Sequence, residues 1–249
     1  MLDLAGKRAL VTGAGQRVGQ AIALALGEHG MHVAVHYRES RDGAEQTCQA
    51  IRSAGGEAHA FAADLTSRQG ARELVDRTLH ILGGIDLVVP SAANFERVVF
   101  DQLDDAAWDR TMGLNLASPL ALVQQAVPAL RESAGSIVFI TCSSATVPFR
   151  NYLPYVVAKG ALRHMMKTLA LELAPTVRVN AVAPGTVLPP EDYDEPAQQR
   201  LARSVPLQRL GSARDVADAV VYLARAPFVT GHEIAVEGGR SVARPERFG

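Results

Sequence analysis

The chain has 249 residues, 48% hydrophobic and 20% charged, with 25 Lys and Arg set against 26 Asp and Glu. This excludes a disordered chain, and a net charge of −1 without basic runs argues against a nucleic-acid partner. Cys48 and Cys142 lie far apart outside any Cys-x-x-Cys pattern, so neither a metal site nor a disulfide framework is expected. With no apolar run near the roughly 18 residues of a membrane span and no leader-like N-terminus, the expectation is a cytoplasmic protein without membrane contact.

Short apolar runs alternate with longer stretches of helical spacing. A strand is predicted at Arg8–Val11, then a helix from Val18 to Glu28 with Val18, Ile22, Ala25 and Leu26 on one face. Strands at His32–His36 and Ala58–Ala62 precede a helix over Ser67 to Leu82, capped by Ser67. After a strand at Leu87–Pro90, one long helical stretch runs from Asp104 to Arg131, and Pro119 and Pro128 predict a kink or break near each. Strands at Ser136–Thr141, Arg178–Ala183 and Glu233–Val236 complete the set, with Ser212-x-x-Asp215 opening the last helix as a capping box. Continuous runs such as Ile137-Val138-Phe139-Ile140 suit strands covered on both faces. The alternation predicts one α/β domain over 1–249, a doubly wound parallel sheet of about seven strands with helices on both faces. Only Pro184 to Pro206 departs from it, proline-rich with an acidic run from Glu191 to Glu195 broken by Tyr193. Residues 186–210 read either as a substrate lid or as a surface excursion.

Thr12-Gly13-Ala14-Gly15-Gln16-Arg17-Val18-Gly19 stands between the first strand and the first helix, where glycines let the backbone approach a pyrophosphate at a helix N-terminus. A nicotinamide cofactor that reads a ribose hydroxyl usually meets an acidic residue after the second strand; this chain has His36-Tyr37-Arg38-Glu39-Ser40-Arg41. Arg38, Ser40 and Arg17 suit a 2′-phosphate, Glu39 opposes it, and the balance favours NADP(H). Further on, Tyr155 and Lys159 are four apart on one helix face, where the cation is expected to lower the tyrosine pKa and make it an acid or base.

These elements together resemble the short-chain dehydrogenase/reductase family over essentially the whole length. The Thr12-Gly13 turn, Asp64 after the third strand, Asn115, Tyr155 with Lys159, Pro184-Gly185, and Thr230-Gly231 before Val236-Glu237-Gly238-Gly239 all match in order. The resemblance implies a Rossmann-type fold and hydride transfer with Tyr155 as proton donor. Lys159 would hold the nicotinamide ribose, and Asn115 would anchor a water of a proton relay. Asp64 would lie near the adenine, either binding it or capping the helix near Ser67. The cofactor would also meet Gly13, Gln16, Val18, His36, Tyr37 and Leu65. Towards the nicotinamide it would meet Ser91, Ala92, Ala93, Pro184, Gly185, Thr186 and Val187. Thirteen positions before Tyr155, where the family usually has serine, stands Cys142, so either the thiol serves or Ser143 is shifted into place. The usual Asn-Asn-Ala-Gly after the fourth strand reads Pro90-Ser91-Ala92-Ala93.

Within the family the chain is most similar to pteridine reductases, on Arg17 in the glycine turn and Phe95 after the fourth strand. That resemblance implies a flat heteroaromatic substrate between Phe95 and the nicotinamide, with Arg17 at its polar edge. Arg244 either matches a residue that reaches a neighbouring subunit's site, which implies a homo-oligomer, expected to be a tetramer, or belongs to a frayed basic tail, Arg244-Pro245-Glu246-Arg247. Against this, pteridine reductases often carry an aspartate at the position of Cys142, which leaves a carbonyl or 3-oxoacyl thioester reductase as the alternative. A nucleotide-binding regulatory protein without turnover is the third reading.

Overall fold

Strand residues with no solvent exposure point alternately to opposite sides of one sheet, and this decides where both halves of the core lie. The computed structural model describes residues 1–188 and 194–243. Its strands are β1 (Arg8–Val11), β2 (His32–Tyr37), β3 (Glu57–Ala62), β4 (Leu87–Val89), β5 (Ser136–Ile140), β6 (Arg178–Pro184) and β7 (Glu233–Val236). They pair in the order β3-β2-β1-β4-β5-β6-β7, every pair parallel. Each predicted strand is present, its ends within one residue of the expected ones.

The helices are α1 (Arg17–Glu28), α2 (Arg41–Ser53), α3 (Arg68–Leu82), α4 (Asp105–Met112), α5 (Ser118–Glu132), α6 (Leu153–Glu172), α7 (Glu195–Arg203) and α8 (Ala213–Arg225). On one face Ala9, Val11, Val33, Val35 and Val138 pack with residues of α1, α2 and α8. On the other, Leu10, Ala34, Val88, Ile137, Phe139 and Val179 pack with α3, α5 and α6. Two helical layers thus cover one sheet, the arrangement that parallel crossovers require. Helix α2 escaped the sequence reading because its buried stripe is narrow, only Ala44, Thr47, Cys48 and Ile51. No helix among the described residues is long and apolar enough to cross a membrane.

The long helix expected over 104–131 is interrupted. Helix α4 ends at Met112, a π-helical turn occupies Gly113–Ala117, and α5 restarts at Ser118 with Pro119 in its first turn. A proline has no N–H for the carbonyl four residues back, and its ring crowds that carbonyl, here Asn115. The wider turn relieves the crowding and leaves Asn115 fully buried. Pro128 makes no break, since it sits inside α5 without ending it. The capping box is present: Asp215 N–H donates to Ser212 Oγ at 3.2 Å and Ser212 N–H to Asp215 Oδ2 at 2.7 Å. In the segment read as a lid, α7 has no buried residue, and residues 189–193 lie outside the described residues.

Buried Asn180 on β6 sets the start of β7. Its amide donates to the Val229 carbonyl at 2.8 Å and its oxygen accepts from His232 N–H at 3.1 Å. Asn180→Ala leaves both backbone groups unpaired and should cost about 2–4 kcal/mol, measured as a fall in the urea midpoint at unchanged slope.

Candidate active site

Strand order reverses between β1 and β4, and in a parallel sheet such a reversal opens a crevice at the strands' carboxyl ends. Here it is a cavity of about 500 Å³ that extends from the glycine turn to α6. Thr12 ties its two walls together, Oγ1 accepting from the N–H groups of Ser91 and Ala92 at 2.9 Å each.

The glycine turn is shaped by close approach. A Cβ on Gly19 would fall 2.2 Å from the Gly13 carbonyl oxygen, and one on Gly13, at φ +64°, would fall 3.0 Å from Ala92 Cα. The N-terminus of α1 has no side-chain cap and no acidic residue in its first turn, which leaves its amides and dipole free for an anion. Arg17 lines the same space at φ +55°, a left-handed conformation that a glycine would adopt more easily. Its guanidinium reaches across to donate to the Leu188 carbonyl at 3.3 Å. A dinucleotide's pyrophosphate fits this cradle.

Under the turn lies His36, 2% exposed. Gly13 N–H donates to its Nδ1 at 3.1 Å, so the proton sits on Nε2, which donates to the Ala63 carbonyl at 3.2 Å. The imidazole lines the cavity and also bolts the turn to the end of β3. Burial lowers its pKa from 6.5 to about 4, against the Ala63 bond and Asp64, which raise it, and with Arg77, which lowers it further.

At the far end, Tyr37, Arg38, Glu39, Ser40, Asp64 and Leu65 line the cavity. Arg38 Nε lies 3.5 Å from Glu39 Oε1 and 3.9 Å from Asp64 Oδ1, all three side chains exposed. Ser40 occupies the N-cap position of α2 without capping it, which leaves its hydroxyl to the cavity. Asp64 does not cap the next helix, as one expectation had it. Ser67 does, accepting from Gly70 N–H at 3.0 Å, while Asp64 Oδ1 takes Thr66 N–H at 2.9 Å, a bond that lowers its pKa.

At the near end α6 delivers Tyr155, 9% exposed, and Lys159, 3% exposed. Lys159 Nζ donates to the Ile140 carbonyl at 2.9 Å and lies 5.6 Å from the Tyr155 ring centre. Burial lowers the lysine pKa from 10.5 to about 8. The expected lowering of the tyrosine pKa is not found: burial raises it well above 10, and the adjacent Cys142 thiol raises it further. Desolvation outweighs the cation, so Tyr155 stands as a neutral phenol, a proton donor. Cys142 lines the cavity beside it, its sulfur accepting from Ser144 N–H at 3.4 Å, whereas Ser143 is buried outside the lining.

Asn115 lies behind the cavity wall, not on it. Its amide donates to the Thr111 carbonyl at 3.0 Å and to the side-chain oxygen of Asn94, and its own Oδ1 has no partner among the described residues. Phe95 stacks on Tyr152 with ring centres 4.2 Å apart and stands edge-on to Tyr155 at 4.8 Å. One face of Phe95 is therefore taken, and the side chain, 53% exposed, is not among the residues that line the cavity. Pro184 and Gly185 line the main cavity, while Thr186 and Val187 line a neighbouring one of about 370 Å³. Arg244 lies outside the described residues. Asn94, Leu114, Ile140 and Thr141 also line the cavity and were missed. Ile140 and Thr141 were findable, because a parallel sheet directs the carboxyl end of every strand to this edge.

The family model described as enoyl-(acyl carrier protein) reductase matches residues 13–241. The chain is 33% identical to the 3beta-hydroxysteroid dehydrogenase 1 of Eggerthella lenta, covering 99% of this chain and 98% of that one. It is 31% identical to the 3-oxoacyl-[acyl-carrier-protein] reductase of Staphylococcus epidermidis, over 94% of this chain and 98% of that one. Among solved structures, a blue fluorescent protein from a metagenomic library, in complex with NADPH, superposes with a TM-score of 0.90 at 29% identity, covering 96% of this chain and 99% of that one.

His36 makes stability depend on pH. The unfolded chain protonates it near 6.5 and the folded chain only near 4, so across that window the unfolded state takes up a proton that the folded state refuses. Stability should fall by about 3 kcal/mol as pH drops from 6.5 to 4. Chemical denaturation across this range should show a shallower slope for His36→Asn; parallel profiles would remove the histidine from that role.

Proposed function

The chain belongs to the short-chain dehydrogenase/reductase family and is an oxidoreductase, and from that premise we propose that it interconverts a carbonyl compound and its alcohol with NADP(H). The observation that carries the reading is the neutral, buried Tyr155 phenol between Cys142 and Lys159, in the same cavity as the phosphate cradle. When bound, the nicotinamide supplies a hydride to the carbonyl carbon or accepts one from the alcohol carbon. As the carbon–oxygen double bond opens, Tyr155 gives its proton to the oxygen, and the Lys159 ammonium returns one to the phenolate. The Ile140 carbonyl fixes that ammonium 5.6 Å from the Tyr155 ring centre. Cys142 orients the substrate oxygen only weakly, because a thiol is a poor donor.

NADP(H) is the reading because Arg38 and Ser40 line the end of the cavity after the second strand and Arg17 lines the glycine turn, a basic set suited to a 2′-phosphate, although Glu39 and Asp64 draw on Arg38. A second reading, reduction of a pteridine-like ring, is favoured by the half-exposed Phe95, which stands edge-on to Tyr155. Cys142 weighs against it, since a thiol replaces no carboxylic acid as a proton source.

Tyr155→Phe should abolish NADPH oxidation with ketones, 3-oxoacyl thioesters and dihydropteridines alike, with NADPH affinity nearly intact; retained turnover would refute the proton donor. Arg38→Ala should weaken NADPH by about ten- to a hundred-fold while hardly changing NADH, as expected for one charge-assisted contact to phosphate. Equal losses by isothermal titration would mean that Arg38 does not read it.

A further inference from the structure

The face of α6 that carries Tyr155 and Lys159 continues to Arg163, four residues further along. Arg163 Nε pairs with Glu233 Oε2 at 2.6 Å, and the other oxygen of that carboxylate accepts from Thr141 Oγ1 at 2.7 Å. Glu233 opens β7, and its side chain is 8% exposed. Thr141 follows the last residue of β5; its N–H donates to the Val182 carbonyl of β6 at 2.9 Å. The next residue is Cys142, whose thiol touches the Tyr155 phenol. One carboxylate therefore grips the helix that bears the phenol with one oxygen, and with the other the strand end that bears the thiol.

We propose that Glu233 is a positioning residue for the reaction, a tether that sets the distance between α6 and the end of β5 and so the seat of the substrate oxygen between Tyr155 and Cys142. The Lys159–Ile140 bond makes a second link between the same helix and strand, one turn closer to Tyr155. With both links in place, α6 is held to the end of β5 at two points. A nearly buried carboxylate is costly to desolvate unless both oxygens are engaged, and here both are, by groups from two elements that the reaction needs in register. The proposal rests on Tyr155 acting as the proton donor.

The test uses the full-length enzyme in Glu233→Gln and Thr141→Val forms. In each, kcat should fall about tenfold or more, while KM and the NADPH dissociation constant change less than about twofold, because the loss is of geometry at the reacting atoms. The double variant should be no worse than the worse single one, as for two parts of one tether. A readout free of turnover is the rate of Cys142 alkylation by iodoacetamide at one fixed pH, Cys48 being buried. That rate should change in both variants as the thiol moves relative to Tyr155. Unchanged kcat in both variants, or a loss that follows the unfolded fraction alone, overturns the proposal. A changed alkylation rate together with full turnover by Tyr155→Phe would keep the tether and remove the proton-donor reading, so the two fail separately.

Discussion

Because all seven strands run the same way, every strand ends at one edge of the sheet, and each return passes through a helix on one face or the other. The chain winds outward in both directions from β1 and β4, so the two crossovers that leave this pair part and open a crevice. Everything chemical in the molecule is placed by that parting: the glycine turn after β1, the small residues after β4, and the end of β5 beside α6. The Thr12 hydroxyl, shared between Ser91 and Ala92 N–H groups, keeps the parting from widening.

Burial governs the reactive groups at that edge more than neighbouring charge does. The lysine four residues from Tyr155 was expected to favour the phenolate, yet the phenol is so well desolvated that it stays protonated. The same burial makes Lys159 easier to deprotonate. The two groups are thus moved apart in acidity: the phenol is held protonated as the donor, and the Lys159 ammonium becomes the readier acid, able to reprotonate the phenolate.

His36 illustrates how one position serves both structure and site. As a residue beside the glycine turn it was expected to touch the cofactor; in the fold it lines the cavity and holds the turn from beneath through two hydrogen bonds. Its neutral form is required, because only a bare Nδ1 can accept the Gly13 N–H. Glu233, which does not line the cavity, is comparable in linking α6 to the end of β5 through its two carboxylate oxygens.

The amino-acid sequence by itself determined the strands, most helices, the glycine turn and the Tyr155–Lys159 pair, because hydrophobic period, capping residues and four-residue spacing are local signals. Pro119 likewise marked the break in the 104–131 stretch, whereas α5 continues through Pro128 without a break. What only the tertiary structure decided were relations between distant segments. These include Cys142 instead of Ser143 facing the cavity, Asn115 behind its wall, Phe95 stacked on Tyr152, and Arg163 joined to Thr141 through Glu233. A pairing between residues 92 positions apart, Thr141 and Glu233, leaves no trace in local spacing. The raised tyrosine pKa has the same origin, for desolvation depends on how many distant side chains close over a group, and that number exists only once the chain has folded.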